Sequence, residues 1–112
     1  MRIAIPLVQD KLSMHFGHCE KFLITEIDKE TKQILNIEKL TPPSHEPGVL
    51  PKWLHELNVD VIIAGGMGTR AQSLFNQHGI DVTVGACKTD PDEIIKDYLN
   101  DALIVGNNSC DH

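Results

Sequence analysis

Residues 59–84 contain two short apolar runs separated by a segment with helical spacing. The first run, residues 59–64, is apolar almost throughout and leads into a glycine-rich turn at residues 65–68. Apolar residues then recur at helical intervals up to Gly79, and residues 80–84 form the second run. Strand-length apolar runs on either side of an amphipathic helix are typical of a β-α-β unit, whose strands are parallel and buried. This segment therefore favours an α/β fold with helices packed on a sheet.

The N-terminal part of the chain adds three strands without helices between them. Residues 3–8 form an apolar run that contains Pro6, which we place near the strand's end or at a bulge because proline cannot donate a backbone hydrogen bond. Residues 22–28 and 33–40 have strand composition, and the short segment between them favours an antiparallel hairpin. These runs predict that antiparallel strands flank the β-α-β unit.

Two further helices are expected, one before the β-α-β unit and one after it. Residues 50–57 place apolar side chains at i, i+3, i+4 and i+7, and the last helix begins with Asp90 as N-cap and Pro91 in its first turn. The element order is then β-β-β-α-β-α-β-α. We predict one mixed, mostly parallel sheet of five strands with helices on both faces.

The composition restricts the classes of function. A chain of 112 residues is one domain, assigned to residues 1–106, with residues 107–112 as a flexible tail. Ten basic residues against 16 acidic ones, with no basic cluster, argue against a nucleic-acid partner. No apolar stretch approaches the roughly twenty residues of a membrane span, and the N-terminus lacks a secretory pattern. We therefore expect a cytoplasmic protein without a membrane partner, whose three cysteines are free thiols.

Three loops that follow predicted strands carry residues with binding chemistry. The first holds His15, His18 and Cys19, the second is the glycine turn at residues 65–68, and the third contains Cys87. Ligands of α/β sheets bind beyond the C-terminal ends of parallel strands, so these loops meet if their strands are neighbours. Histidine, cysteine and the amides of a helix N-terminus suit an anionic metal–sulfur species. Each feature also has a structural interpretation, since glycines can form only a tight turn and Cys87 can pack as a small hydrophobe.

Two His/Cys pairs are harder to explain by packing. His18 and Cys19 are adjacent, and Cys110 and His112 lie on a polar tail that has little use in a core. Together they offer four ligands that zinc, copper and iron–sulfur clusters accept, although neither pair has C-x₂-C spacing. We take these four residues as the principal candidate metal ligands. A second group of candidates consists of His15, His45 and Cys87.

Two motifs in combination resemble a known family. His15-Phe16-Gly17 followed by Phe22, together with residues 61–71, is similar to the dinitrogenase iron–molybdenum cofactor biosynthesis family. This is the NifX-like group, which includes the C-terminal part of NifB and the orange-protein relatives. The resemblance implies a three-layer ribonuclease-H-like fold, in which the first and fourth predicted strands are adjacent and parallel. The cofactor-binding residues that it implies are His15, Phe16, Gly17, Gly65, Gly66, Met67 and Gly68.

The resemblance implies a protein that binds, carries or protects a molybdenum–iron or other metal–sulfur cluster and catalyses no reaction. The expected partners are proteins that donate or accept the cluster, a cluster-assembly ATPase among them, and the chain is expected to be a monomer or weak dimer. A mononuclear zinc-type site is the first alternative. A ribonuclease-H-like nuclease is less favoured, because such enzymes need a carboxylate on the first strand and residues 3–8 contain no acid.

Overall fold

Within residues 1–13, 19–43, 48–86 and 89–100, which the computed structural model describes, the chain forms one sheet and three helices. The elements are β1 (Arg2–Val8), β2 (Lys11–Leu12), β3 (Lys21–Asp28), β4 (Gln33–Leu40), α1 (Val49–Glu56), β5 (Val61–Ile63), α2 (Thr69–Gln77), β6 (Asp81–Thr83) and α3 (Pro91–Leu99). This order is the predicted one with a single addition, the short strand β2. The sheet order is β4-β3-β1-β5-β6, and β2 pairs with β1, so the sheet has six strands and not five.

The centre of the sheet is parallel, as the β-α-β pattern predicts. Ile3 lies opposite Val61 and Ala4 opposite Ile62, which makes β1 and β5 parallel neighbours, and β5 pairs with β6 in the same sense. The pairings β1–β2, β1–β3 and β3–β4 are antiparallel. The expectation of a mostly parallel sheet was therefore wrong for the described part of the chain. The reason is that the N-terminal strands return on one another through tight turns, whereas parallel pairs need long crossovers.

Pro6 lies inside β1, where it is accommodated without a bulge. The carbonyl of Leu7 accepts a hydrogen bond from the Glu20 amide at 2.7 Å on the β3 side of the strand. The backbone groups of Pro6 therefore point to the other side, where its carbonyl accepts from the Ser13 amide at 2.9 Å. The β1–β5 register ends at Ala4, so no donor is needed from Pro6 at this point. The sheet's irregularity falls instead in the β3–β4 pairing.

The two faces of the sheet carry separate apolar clusters. One cluster joins alternate strand residues such as Ala4 and Ile62 to the buried side chains of α1 and α2. The other joins Ile3 and Ile63 to α3. Helices therefore cover both faces of the sheet, in three layers. None of the helices within the described ranges is long and apolar enough to cross a membrane.

The last helix begins as its sequence predicts. The side chain of Asp90 accepts a hydrogen bond from the Asp92 amide at 3.0 Å, and Pro91 occupies the first turn. The carbonyl of Thr89, one residue earlier, accepts from the Leu12 amide at 2.8 Å. This bond fixes the start of α3 beside β2 and the C-terminal end of β1.

Candidate functional site

Four loops leave the sheet at one edge, which we call the loop edge. Strands β1, β4, β5 and β6 run in the same direction. Both β1 and β4 are antiparallel to β3, β5 is parallel to β1, and β6 is parallel to β5. The loops that follow these strands therefore start at the same side. Backbone bonds join two of them, since the Ala64 amide donates to Thr83 and the Gly85 amide to Gly65, both at 2.9 Å. The predicted meeting of these loops is confirmed for their described ends.

The first loop is anchored at both ends to β1. The Ser13 amide binds the carbonyl of Pro6, and the Glu20 amide binds the carbonyl of Leu7. Both anchors lie in the C-terminal part of β1, so the two ends of the loop are bound to neighbouring residues of the same strand. The candidates between the anchors, His15, Phe16, Gly17 and His18, lie outside the described residues.

A fourth loop, which sequence reasoning could not orient, also starts at the loop edge. Leu40, the last residue of β4, pairs with Phe22, which in turn pairs with Pro6 near the end of β1. The chain then passes through Pro42 and returns at Gly48. This glycine has a φ of 85° and is the N-cap of α1. His45, between these points, lies outside the described residues. The flanks of its loop nevertheless belong to the same edge as those of the other candidates.

Cys19 forms part of the floor beneath the loop edge. It is 5% exposed and belongs to the apolar cluster that also contains Phe22 and Met67. Burial raises the pKa of the Cys19 thiol to about 11, an effect partly offset by a hydrogen bond with its own backbone. In the metal-free protein the thiol is therefore protonated at neutral pH and packs as a small apolar group.

The glycine turn brings backbone, rather than side chains, to the loop edge. Gly65 and Gly66 are buried, Met67 is fully buried in the cluster below, and exposed Gly68 is the N-cap of α2. The side-chain amide of Gln72 donates to the carbonyl of Met67 at 2.8 Å and so holds the turn against the helix. Sequence reasoning missed Gln72, whose only signal is its place in the helix's first turns. The first turn of α2 contains no acidic residue, so its positive end can attract an anion.

A shallow cavity of about 210 Å³ lies beside the first loop. It is lined by Leu7, Gln9, Asp10, Glu20 and Lys21. Its carboxylates already have partners: a Glu20 oxygen accepts from the Gln9 amide at 3.0 Å, and Asp10 binds the Lys39 ammonium at 3.1 Å. Because these carboxylates are paired with groups of the protein itself, we interpret the cavity as a surface feature rather than a ligand site.

The candidate residues divide into those that the structure describes and those that it does not. Cys19 and the four residues of the glycine turn are described, and they lie at the loop edge or directly beneath it. Outside the described residues lie His15, Phe16, Gly17, His18, His45, Cys87, Cys110 and His112. Within the described part of the chain, no group of three or more His, Cys, Asp or Glu side chains could hold a metal ion. The ligand set thus stays a prediction.

Comparison with known proteins identifies the group to which this architecture is related. Residues 1–101 match the family described as dinitrogenase iron-molybdenum cofactor. An uncharacterized protein from Methanocaldococcus jannaschii is 38% identical over 106 residues, covering 92% of this chain and 89% of that protein.

Two solved structures extend the comparison to the fold. The crystal structure of PH0822 superposes with a TM-score of 0.85 at 30% identity, covering 95% of this chain and 96% of that one. The apo form of the orange protein from Desulfovibrio gigas superposes with a TM-score of 0.69 at 19% identity, covering 96% and 93%. The second similarity concerns the fold alone.

Proposed function

The chain belongs to the dinitrogenase iron–molybdenum cofactor family, and from this premise we propose that it binds and carries a metal–sulfur cluster at the loop edge without catalysing a reaction. The observation that carries the proposal is the convergence of four loop flanks at one end of the sheet. The loop after β2, which is anchored to the end of β1, contains His15 and His18. The loops after β4 and β6 contain His45 and Cys87. Imidazole and thiolate are the ligands that iron, zinc and related metals accept from proteins.

The principal ligands in this proposal are His18, Cys19, Cys110 and His112. Cys19 would have to lose its proton to bind a metal, and a coordinating thiol is deprotonated by the ion's charge. Its place in the floor, next to the rim of the loops, supports a role at the bottom of the site. Cluster binding would then replace an apolar thiol contact by a metal–thiolate bond.

The C-terminal tail is long enough to return to the loop edge. The Thr89–Leu12 bond places the start of α3 at this edge, and its nine residues carry the chain away from it by only about 14 Å. The ten residue steps from Asn100 to Cys110 can span roughly 33 Å when extended. The tail can therefore fold back far enough for Cys110 and His112 to join the ligands of the loops.

The glycine turn has a different part in the proposal. Sulfide-containing clusters are anionic, and the N-terminus of α2 behind Gly68 offers backbone amides and the positive end of a helix dipole. Gly65 and Gly66 let the backbone approach closely, and Gln72 fixes the turn that leads to the helix. Donor or acceptor proteins, and a cluster-assembly ATPase among them, would then approach this edge.

The experiment is metal analysis of protein purified without oxygen, combined with its visible absorption spectrum. A metal–sulfur cluster absorbs visible light, whereas zinc is colourless, so a zinc-loaded colourless protein would favour the mononuclear alternative. The informative variant is Cys110→Ser with His112→Gln, which removes both soft ligands of the tail. Asp111→Asn is its matched control, since it changes the same tail without removing a soft ligand. Loss of bound metal in the first variant alone is expected, and equal metal content in both would contradict the ligand assignment.

A further inference from the structure

Two histidines meet at the end of the molecule opposite the loop edge, which we call the closed edge. Helices α1 and α2 both start at the loop edge and both end where the next strand begins. His55 lies in the last turn of α1, and His78 is the C-cap of α2. Their ring centroids are 5.6 Å apart, and the ring planes are inclined by 61°. The two imidazoles are thus in edge-to-face contact, with His55 exposed and His78 half-buried.

The ring of His78 is oriented by a hydrogen bond to its own helix. The backbone amide of His78 donates to Phe75 rather than to Leu74, because the helix tightens at its end. Instead, Nδ1 of the His78 ring lies 3.0 Å from the carbonyl oxygen of Leu74. A carbonyl can only accept, so Nδ1 carries the proton and Nε2 of the neutral ring keeps its lone pair. Histidines that bind metals commonly use this arrangement, in which a backbone carbonyl fixes the tautomer.

The backbone beneath both histidines is fixed by the same helix-ending motif. In α1 the amide of Asn58 donates to His55 at 3.0 Å, and Asn58 has a φ of 62°. In α2 the amide of Gly79 donates to Asn76 at 3.0 Å, and Gly79 has a φ of 76°. Each helix therefore ends at a left-handed residue whose amide donates to the carbonyl three residues earlier. The Cα atoms that carry the two rings are held before any ligand binds.

The electrostatics of this position favour a cation. The C-terminal end of a helix carries partial negative charge, and two such ends meet here. The last turn of α2 contains no basic residue, and His55 itself is the basic residue in the last turn of α1. The two rings are thus carried by the negative ends of two helix dipoles.

We propose that His55 and His78 form a surface site for a divalent transition-metal ion, of the class of Cu²⁺, Ni²⁺ or Zn²⁺, with water completing its coordination. With metal–nitrogen bonds of about 2.0–2.1 Å, the centroids of two imidazoles on one ion lie roughly 5 Å apart. From the observed edge-to-face position, the exposed ring of His55 has to close by roughly half an ångström and to rotate so that one of its nitrogens faces the ion. Two nitrogen ligands select this class of ion over Mg²⁺ and Ca²⁺, which prefer oxygen.

The test is a titration of the metal-free full chain with paramagnetic Ni²⁺, which does not oxidise thiols, followed residue by residue through amide NMR and continued until the loop-edge resonances stop changing. The variants are His55→Gln and His78→Gln, and Gln77→Ala is the control because Gln77 is an exposed neighbour on the same helix end. Glutamine at position 78 can still donate to the Leu74 carbonyl, so the apo spectrum should stay folded. Resonances of Gly65 and Gly66 report separately on metal binding at the loop edge, and Mg²⁺ serves as the negative ion.

Selective broadening of residues 54–56 and 77–79 is expected in the parent chain and in the Gln77→Ala variant. In either histidine variant the same broadening should need roughly 10²-fold more Ni²⁺, because a preorganised second ligand is lost. Absence of broadening at these residues in the parent chain would overturn the proposal. Broadening that persists in one of the two histidine variants would also overturn it, since the ion would then bind a single imidazole. Because the titration continues past saturation of the loop edge, neither result depends on whether the loop edge binds a cluster.

Discussion

The loop edge and the closed edge of the same sheet use their polar groups differently. At the closed edge the Arg2 guanidinium donates to the carbonyl of Leu57 at 2.9 Å, and the Arg2 amide donates to Asp60 at the same distance. Asp28 accepts from the amides that follow it in the β3–β4 turn. These side chains hold the chain's own backbone. The loop edge instead collects loops that carry histidines and cysteines, above a floor that includes Cys19 and is part of the core.

The comparison teaches that position along a strand predicts what a substitution should change. Residues of the closed edge should affect stability without affecting cluster binding. Rim residues of the loop edge should do the reverse. The floor of the loop edge, which contains Cys19, Phe22 and Met67, belongs to both categories because it is buried and adjacent to the rim. The four predictions below test these assignments, beginning with the largest expected effect.

Replacing Phe22 should show that the floor of the loop edge is core. Phe22 is fully buried and contacts Trp53 edge-to-face, with ring centroids 5.7 Å apart. Phe22→Ala should lower the free energy of unfolding by about 3–5 kcal/mol, because a buried ring is lost and a cavity remains. Urea unfolding measures this loss. A cost below about 1 kcal/mol would mean that the floor is not packed as described, and the division between floor and rim would fail.

Cys19 allows the floor to be tested through its titration. The unfolded thiol has a pKa near 9.0 and the folded one about 11, so stability from this group is complete below pH 9 and is lost as pH rises toward 11. The metal-free parent chain should lose about 1.4 kcal/mol from this group by pH 10. Cys19→Ala removes this contribution, so its deficit against the parent should shrink between pH 8 and pH 10. The measurement is urea unfolding of both chains at the two pH values, and an unchanged difference would argue against a buried thiol.

The sequence predicted the directions of the strands better than the details of the turns. The β-α-β pattern identified β5, α2 and β6 because buried strands and an amphipathic helix have different periods. The strand β2 was missed because Gln9 and Asp10, with φ of 52° and 64°, make the turn that precedes it without a glycine. Tertiary pairing with β1 stabilises a conformation that local sequence does not favour.

The candidate site shows the same limit. The rule that ligands bind at the C-terminal ends of parallel strands brought the glycine turn to the first loop only with the strand adjacency that the family resemblance implied. The burial of Cys19 could not be derived from the sequence. It depends on where the loop re-enters the sheet, which is at the Glu20–Leu7 bond directly after Cys19. The proximity of His55 and His78 was equally hidden, since it depends on the rotation of two helices relative to each other.

At the closed edge, Arg2→Gln should reduce stability without changing the amount of cluster bound at the loop edge. The substitution removes the bond to Leu57 and a long contact of 3.9 Å to Glu26, whose side chain is 43% exposed. The expected loss is about 1 kcal/mol, because a half-exposed hydrogen bond contributes little and the ion pair is screened. Lys52→Gln, which removes the same charge from an exposed position on α1, is the control and should be nearly neutral. Reduced visible absorbance of the bound cluster in the Arg2 variant would show that the two edges are coupled, contrary to the comparison.

The smallest effect is expected at the rim of the loop edge, where Asp10 binds Lys39. The ammonium and carboxylate are 3.1 Å apart, but their side chains are 45% and 72% exposed. Water and salt screen such a pair, so Asp10→Asn should change the free energy of unfolding by less than about 0.5 kcal/mol. Asparagine also tolerates the left-handed backbone that Asp10 adopts, so the turn before β2 should keep its shape. Urea unfolding at low and high salt measures the effect, and the small difference should vanish at high salt. A loss above about 1 kcal/mol would mean that charge pairing holds the rim in place, and the loop edge would then resemble the closed edge in how it uses its polar groups.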